Sequence, residues 1–398
     1  MTMPPATQPR QHPAAAGLAL ATVLLGAGTA AAHAQPATAV DLRAAVQAKL
    51  DSMHAAGTFP GATLGVALPD GTILGFATGQ ADTARDRALR PDDRMLAGSV
   101  GKTYVAAVAL QLVDEGKLAL DTPIAEHLGG LPWFPRLPNG RDITVRMLMN
   151  HTSGVVRYEF DPRFAQDLTA APDRVWKPEE QIAYVLDSEP PFAAGQGWTY
   201  SDTNYLLLGL IIEKITGASL NAEIERRILT PLSLSETRPS DSRRLPGLVQ
   251  GYAGPDNPFG GTDAMIRDGT FAFNPQFEWA GGGYYTSARD LARWAKALYE
   301  GRSFSERMLA DATAGTPARG LGPGASYGLG VIISDTPLGT AWGHSGFFPG
   351  YLTEMRYFPD HDFAVALQVN TSHGRPFGRG PGAALQDLAA IVAASLAR

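Results

Sequence analysis

No cysteine occurs anywhere in the 398 residues. That absence excludes disulfide bonds, thiol nucleophiles and zinc-thiolate centres, so the chain is stabilised by burial and its chemistry runs through oxygen and nitrogen. Lysine is scarce too, with six residues: Lys49, Lys102, Lys117, Lys177, Lys214 and Lys296. Charged residues make up only 18% of the chain, sum to a formal charge of −6, and include no basic tract, Arg226-Arg227 and Arg243-Arg244 being the only adjacent pairs of basic residues. A nucleic-acid partner is therefore excluded by composition. The eight histidines show no His-Glu-x-x-His spacing, so no metal and no cofactor is expected. No internal repeat is visible. What is present is 44% hydrophobic residues, enough for the core of an ordinary globular domain.

One long uncharged run stands apart. Arg10 and His12 precede Ala14 to Ala32, and Ala32-His33-Ala34 supplies small residues two apart before Gln35-Pro36. This is the layout of a secretory signal peptide over residues 1–34 with cleavage after Ala34, which places the mature chain in the periplasm or outside the cell. A membrane anchor is the alternative, but the run is rich in Ala and Gly and barely long enough to span, so no stable membrane span is expected after cleavage.

The remaining 35–398 read as one α+β domain. Val40 to Ala55 has Leu42, Val46 and Leu50 on one helical face. Ala62 to Leu68 and Thr72 to Ala77 form a hairpin around Pro69-Asp70-Gly71. Ser99 to Glu115 follows a helical pattern stopped by Gly116, and the chain from about 99 to 300 is mostly helical segments and long loops, including Pro132 to Asn139 and Asp256 to Gln276. Tyr327 to Ile333, Ala341 to Phe347, Leu352 to Tyr357 and Phe363 to Asn370 are strand-like, and Ala383 to Leu396 closes the chain as a helix. Segregated strands and helices predict an antiparallel sheet built from both ends, about 58–80 and 325–372, flanked by the terminal helices, with a helical region inserted between.

The chemistry-bearing residues start at Ser99-Val100-Gly101-Lys102, the one Ser-x-x-Lys in the chain. At helical spacing the two side chains share a face, so Lys102 reaches the hydroxyl of Ser99, and a serine needs such a base to become a nucleophile. By itself the pattern is weak, arising by chance in about one chain in four of this composition. A second polar group is needed to pass the proton on, and Tyr200 in Thr199-Tyr200-Ser201-Asp202 is the candidate, with an aromatic anchor at a helix start as the plainer alternative and Ser201 or Asp202 merely capping. The third element is Trp342-Gly343-His344-Ser345-Gly346-Phe347, where glycine in a strand marks a close approach to the backbone. A backbone N–H next to Gly346 and that of Ser99 make a candidate oxyanion hole. A lone strand histidine is as often structural.

Ser99 to Lys102, Tyr200-Ser201-Asp202 and His344-Ser345-Gly346, in that order on helix, loop and strand, resemble the three motifs of the serine β-lactamase and penicillin-binding protein superfamily. Leu148 to Gly154, with its Asn150-His151-Thr152-Ser153-Gly154, and Gly281 to Leu291 match in the same register, and the chain is most similar to the class C β-lactamase-like branch. The resemblance implies the β-lactamase/transpeptidase-like fold and an acyl-enzyme on Ser99. It further implies proton handling by Lys102 and Tyr200, an oxyanion hole at Ser99 and Phe347, and substrate contacts at Asp202, His344, Ser345 and Gly346. The substrate it implies is a small molecule or peptide, a peptidoglycan stem peptide among them.

Two positions depart from the family pattern. Asp202 stands where the branch most often has Asn, and an ionised carboxylate there raises the pKa of Lys102 and works against lysine as the base. Asn204, two positions on, is a candidate to stand in for that Asn. His344 stands where most β-lactamases have Lys, which resembles carboxypeptidase and esterase members more than true β-lactamases. The expected activity is that of a D-alanyl-D-alanine carboxypeptidase or D-peptidase, with a β-lactamase-fold carboxylesterase, a class C-type β-lactamase and a ligand-binding protein without turnover as alternatives. Trp342, Phe347, Phe348 and Tyr351 line an apolar acyl pocket on one reading and belong to the core on the other.

Overall fold

A computed structural model describes residues 37–254, 257 and 263–397. The expected signal peptide lies outside the described residues. The chain begins with α1 (Ala37–Ala56), whose Leu42, Val46 and Leu50 are buried as their spacing predicts. β1 (Gly61–Ala67) and β2 (Ile73–Asp82) form the expected hairpin, and β3 (Arg87–Ala88) adds a short edge. From the C-terminal part come β4 (Thr316–Pro317), β5 (Ser326–Tyr327), β6 (Ile332–Thr336), β7 (Gly339–Phe348), β8 (Tyr351–Phe358) and β9 (Phe363–Val369). The sheet order is β3-β2-β1-β9-β8-β7-β6-β5-β4, and every neighbouring pair is antiparallel. β1 meets β9 in the register Leu64 to Leu367 and Val66 to Val365, so the two ends of the chain close one sheet.

The two faces of the sheet carry different cores. Ala62, Leu64 and Val66 alternate onto one face with Val365, Leu367 and Val369, and pack under α1 and the closing helix α5 (Pro381–Leu396) through Leu385, Leu388 and Val392. The other face meets α4 (Ala288–Tyr299), which packs across β1, β9 and β8. Contact there is close enough that a Cβ on Gly65 would fall 2.0 Å from the carbonyl oxygen of Ala288. Both central strands are thus buried on both sides, which is why they read as apolar runs rather than as alternating ones.

The inserted region centres on α2 (Lys102–Asp114) and α3 (Asp202–Thr216), which pack against each other; Ala106, Ala107 and Ala109 keep the buried surface of α2 small. Three expectations are corrected here. The region holds strands as well as helices, because Met95–Leu96, Tyr284–Thr286 and Arg238–Pro239 make a small sheet that ties the segment before α2 to the one before α4. Pro132 to Asn139 is not a free loop: Phe134–Arg136 forms a 3₁₀ turn, and Phe134 and Leu137 are buried. The run Tyr327 to Ile333 is two strands, broken where Gly330 takes φ +79°.

β7 positions the site. It pairs with β6 only over Gly339 to Gly343, while its pairing with β8 runs from Trp342 to Phe348, so residues 344–348 present an edge without a strand partner. Ala97 and Gly98 pack on the backbone of that segment. Gly98 takes φ +52°, and a Cβ on it would meet the carbonyl oxygen of Phe347 at 2.5 Å; a Cβ on Gly346 would meet that of Ala97 at 2.0 Å. Gly346→Ala is expected to force these backbones apart and to destabilise the fold by about 2 kcal/mol. A lowered thermal midpoint in differential scanning calorimetry checks it, and an unchanged midpoint overturns the close approach.

Candidate active site

Ser99 sits in a 3₁₀ turn, Gly98–Gly101, that leads directly into α2 at Lys102. The tight turn brings position i+3 over position i, and Lys102 Nζ donates to Ser99 Oγ at 3.1 Å. The lysine side chain has no exposed surface. Its other two hydrogen bonds run to Asp202 Oδ1 and to the carbonyl oxygen of Gly281. Three donors meet three acceptors, the arrangement of an ammonium. Burial works against the charge of Lys102, but Asp202 and Tyr200 outweigh it and hold the pKa above the ordinary lysine range. The effect expected of Asp202 is therefore present.

Tyr200 ends the loop before α3. Its ring lies 5.1 Å from Lys102 Nζ and 5.5 Å from the Arg157 guanidinium, and its hydroxyl is buried without a protein partner. Burial raises its pKa, and Lys102 and Ser99 oppose the rise. The loop is fixed by His151, whose Nδ1 accepts from the Ser201 backbone N–H at 3.3 Å and from Asn204 Nδ2 at 3.1 Å, and whose ring lies 4.2 Å from that of Tyr200. Burial and the charge of Lys102 hold His151 neutral. Ser201 makes no cap; its hydroxyl donates to the Val156 carbonyl oxygen. Asn204 cannot stand in for the family Asn, because its Oδ1 accepts from Ser153 Oγ at 2.6 Å and its Nδ2 is spent on His151.

Around Lys102 and Asp202 stand three residues that the motif reading passed over. Arg157 Nη2 is 2.6 Å from Asp202 Oδ2, so that carboxylate faces a cation on each oxygen. Both cations hold the pKa of Asp202 below the carboxylate range although burial opposes them. Glu159 has its carboxyl beside Arg157 and Asp202, and burial and Asp202 push its pKa well up. Glu278 is pushed up to about 8 by burial, with Lys102 opposing. It arrives on a 3₁₀ segment, Pro275–Gly281, in which Trp279 takes φ +36°, a conformation that turns the chain between Glu278 and the Gly281 carbonyl. No periodic pattern marks these residues; the Leu148 to Gly154 segment just before Arg157 is the nearest signal.

His344 lies on β7 and is buried. Its Nδ1–H donates to the Ser345 carbonyl oxygen at 2.6 Å, and its Nε2 accepts from the Tyr327 hydroxyl at 2.8 Å. Burial and Lys102 lower its pKa to about 3, so it is a neutral group rather than a replacement for a lysine charge. Ser99, Tyr200, Asp202, His344, Ser345 and Phe347 all line one cavity of about 480 Å³, together with Arg157, Glu159 and Glu278. Gly346 is not in the cavity lining; it is buried between Ser345 and Phe347, packed on the backbone of Ala97. Of the four aromatic candidates, Phe347 is exposed at the cavity, Phe348 lines the cavity from within the core, Tyr351 belongs to the core and Trp342 packs against it. The rim is apolar, with Phe160, Leu321 and Phe347 exposed. Among the described residues no group of three His, Asp or Glu is placed to hold a metal ion.

The beta-lactamase family model matches residues 42–390. The chain is 28% identical over 301 residues to penicillin-binding protein 4* of Bacillus subtilis (strain 168), a match that covers 71% of this chain and 62% of that protein. It is 29% identical over 326 residues to esterase EstB of Burkholderia gladioli, covering 75% of this chain and 82% of the esterase. The solved structure of a D-stereospecific amidohydrolase from Streptomyces sp. has a TM-score of 0.71 and 30% identity, over 82% of this chain and 94% of that one. The match thus spans about six-tenths of the length of the Bacillus relative. With strand order and relatives in agreement, this chain belongs to the beta-lactamase family, in the serine hydrolase superfamily that includes the penicillin-binding proteins.

Proposed function

We propose that the protein is an exported serine hydrolase that cleaves an amide or peptide bond of a small D-amino-acid substrate through an acyl-enzyme on Ser99. The observation that carries this reading is the strand edge 344–348 lying open beside the Ser99–Lys102 pair in one cavity, because an extended amide backbone can align on that edge with its carbonyl over Ser99 Oγ. The cavity volume suits a ligand of one or a few residues. Likeness to the D-stereospecific amidohydrolase supports the stereochemistry, and the N-terminal run Ala14 to Ala32 supports export.

In this reaction the reactive form is the Tyr200 phenolate, its proton lost to solvent against the rise that burial imposes and with the help of Lys102. Ser99 Oγ attacks the carbonyl carbon while its proton passes to that phenolate oxygen. Lys102 is the wrong group to receive it, since all three of its N–H bonds are committed and Asp202 keeps it charged. Its role is to stabilise negative charge on Ser99 Oγ and on the Tyr200 oxygen. The backbone N–H groups of Ser99 and Phe347 receive the carbonyl oxygen as it becomes an oxyanion. Tyr200 gives that proton to the departing amine and is again a phenolate, which then takes a proton from the water that releases the acid. A neutral His344 offers no charge to a substrate carboxylate, and the one guanidinium in the cavity lining, Arg157, is paired with Asp202. Both facts favour an amide or peptide whose leaving group is uncharged over a carboxypeptidase substrate. An ester is the second reading, favoured by the esterase EstB match and by the apolar rim.

Intact-mass spectrometry after exposure to a D-amino-acid amide, an acyl-D-Ala-D-Ala peptide, a p-nitrophenyl ester and penicillin separates these readings. The amide is expected to turn over, with a transient acyl adduct on Ser99, and Ser99→Ala is expected to lower its rate by about 10³-fold or more. Faster turnover of the ester selects the second reading; stable acylation without turnover selects a ligand-binding role, and hydrolysis of penicillin a β-lactamase.

Glu278 sets the pH dependence. Above about 8 it ionises and weakens the pull of Lys102 on Ser99 and Tyr200, so kcat/KM is expected to fall on the alkaline side, and Glu278→Gln to remove that limb. Because its pKa in the folded chain is raised from 4.5, the stability contributed by this group is complete below about 4.5 and declines as pH rises to about 8. Thermal midpoints of wild type and Glu278→Gln across that range check the sign: the difference between them must change as pH rises.

A further inference from the structure

Two buried carboxyl oxygens at the site have no hydrogen-bond donor of good geometry: Asp202 Oδ2 and Glu159 Oε2. Their side chains are only 6% and 10% exposed, so water does not supply the missing donors. Both flank the same guanidinium, Arg157 Nη2 lying 2.6 Å from Asp202 Oδ2 and Arg157 Nε 3.8 Å from Glu159 Oε2, and the two carboxyl groups reach one another. Two ionised carboxylates in that position repel, and each is an acceptor only. One proton between them removes the repulsion and supplies the missing donor.

We propose that Glu159 carries a proton that it donates to Asp202 Oδ2, forming a carboxyl-carboxylate pair that fixes Asp202 between Lys102 and Arg157. Asp202 Oδ1 then serves Lys102, Oδ2 serves Arg157 and Glu159, and the carboxylate has no oxygen left for a substrate amide. This assigns Asp202 and Glu159 as positioning residues, and it accounts for an Asp at a place where relatives carry Asn: a charge is tolerated because Arg157 and a protonated neighbour surround it. The titratable and charged groups around the pair are Lys102, Arg157, Tyr158, Tyr200 and Glu278, with His151, His344 and Tyr205 beyond them. With Glu159 neutral, the two cations outnumber the single anion, and the excess positive charge acts on Ser99 and Tyr200. An ionised Glu159 cancels that excess.

The readout is the carbonyl stretch of a protonated carboxylic acid in difference infrared spectra between variants, taken on the full chain in a Glu278→Gln background, so that Glu278 does not contribute and the raised carboxyls of Glu354 and Asp290, common to every variant, cancel. At neutral pH the band is expected to be present, to vanish in Glu159→Gln, and to vanish also in Asp202→Asn, where Arg157 becomes free to pair with an ionised Glu159. Circular dichroism confirms that each variant is folded. Absence of the band in the Glu278→Gln background overturns the proposal. So does its persistence in Asp202→Asn, which means that burial alone, and not a shared proton, keeps Glu159 neutral. Because a glutamine N–H replaces the donated proton, Glu159→Gln is expected to keep kcat within about threefold, whereas Glu159→Leu, similar in size but without a donor, is expected to lose about tenfold or more. Equal losses in the two variants overturn the donor role. Infrared protonation does not depend on the substrate, so a failed substrate assignment and a failed proton assignment are distinguishable.

Discussion

Lys102 is a fully buried ammonium whose three N–H bonds end on three separate parts of the chain: the turn that carries Ser99, the start of α3 at Asp202, and the segment that leads into the small sheet at Gly281. Taking such a charge out of water costs several kcal/mol, so the fold is required to bring all three acceptors to it at once. That requirement couples segments with no other reason to meet. It explains why the turn at Trp279 holds a strained backbone, since relaxing it would withdraw the Gly281 carbonyl from Nζ. It also explains why Asp202 is ringed by cations instead of solvent.

The same constraint sorts the remaining ionisable groups. Lys102 and Arg157 are charged, Asp202 is their common counter-ion, and the nearby Glu159, Glu278, His151 and His344 are all pushed toward their neutral forms by burial. The site therefore concentrates positive potential at one place, the space shared by Ser99 Oγ and the Tyr200 phenol. A single surplus charge among buried groups acts more strongly than several at an exposed surface.

Local pattern made much of this legible. Ser99 and Lys102 follow from helical spacing, Tyr200 from a polar loop before a helix, and His344 and Gly346 from glycines in a strand. The opposing effect of Asp202 on Lys102 follows from charge alone. The sheet was legible because β1 and β9 are buried on both faces and so read as apolar runs. Arg157, Glu159 and Glu278 were not, because they reach the site from irregular backbone, where burial of a charged side chain leaves no periodic trace. The strands Met95–Leu96, Arg238–Pro239 and Tyr284–Thr286 are two or three residues long, too short for any alternation to show. Pro132 to Asn139 misled because its three prolines resemble those of a free loop, while its fold is settled by the burial of Phe134 and Leu137.

The pairing of β1 with β9 joins residues about three hundred positions apart, and β7 reaches Gly98 across a similar span. Loop-closure entropy grows slowly with length, so these distances cost little at equilibrium, but contacts between such remote segments slow the search for them. In time rather than space, the feature means that Ser99 emerges early from synthesis and waits for its strand edge until nearly the whole chain is present. A partly made or truncated chain holds the serine and lysine but not the surface on which a substrate carbonyl is held, so reactivity appears only with completion.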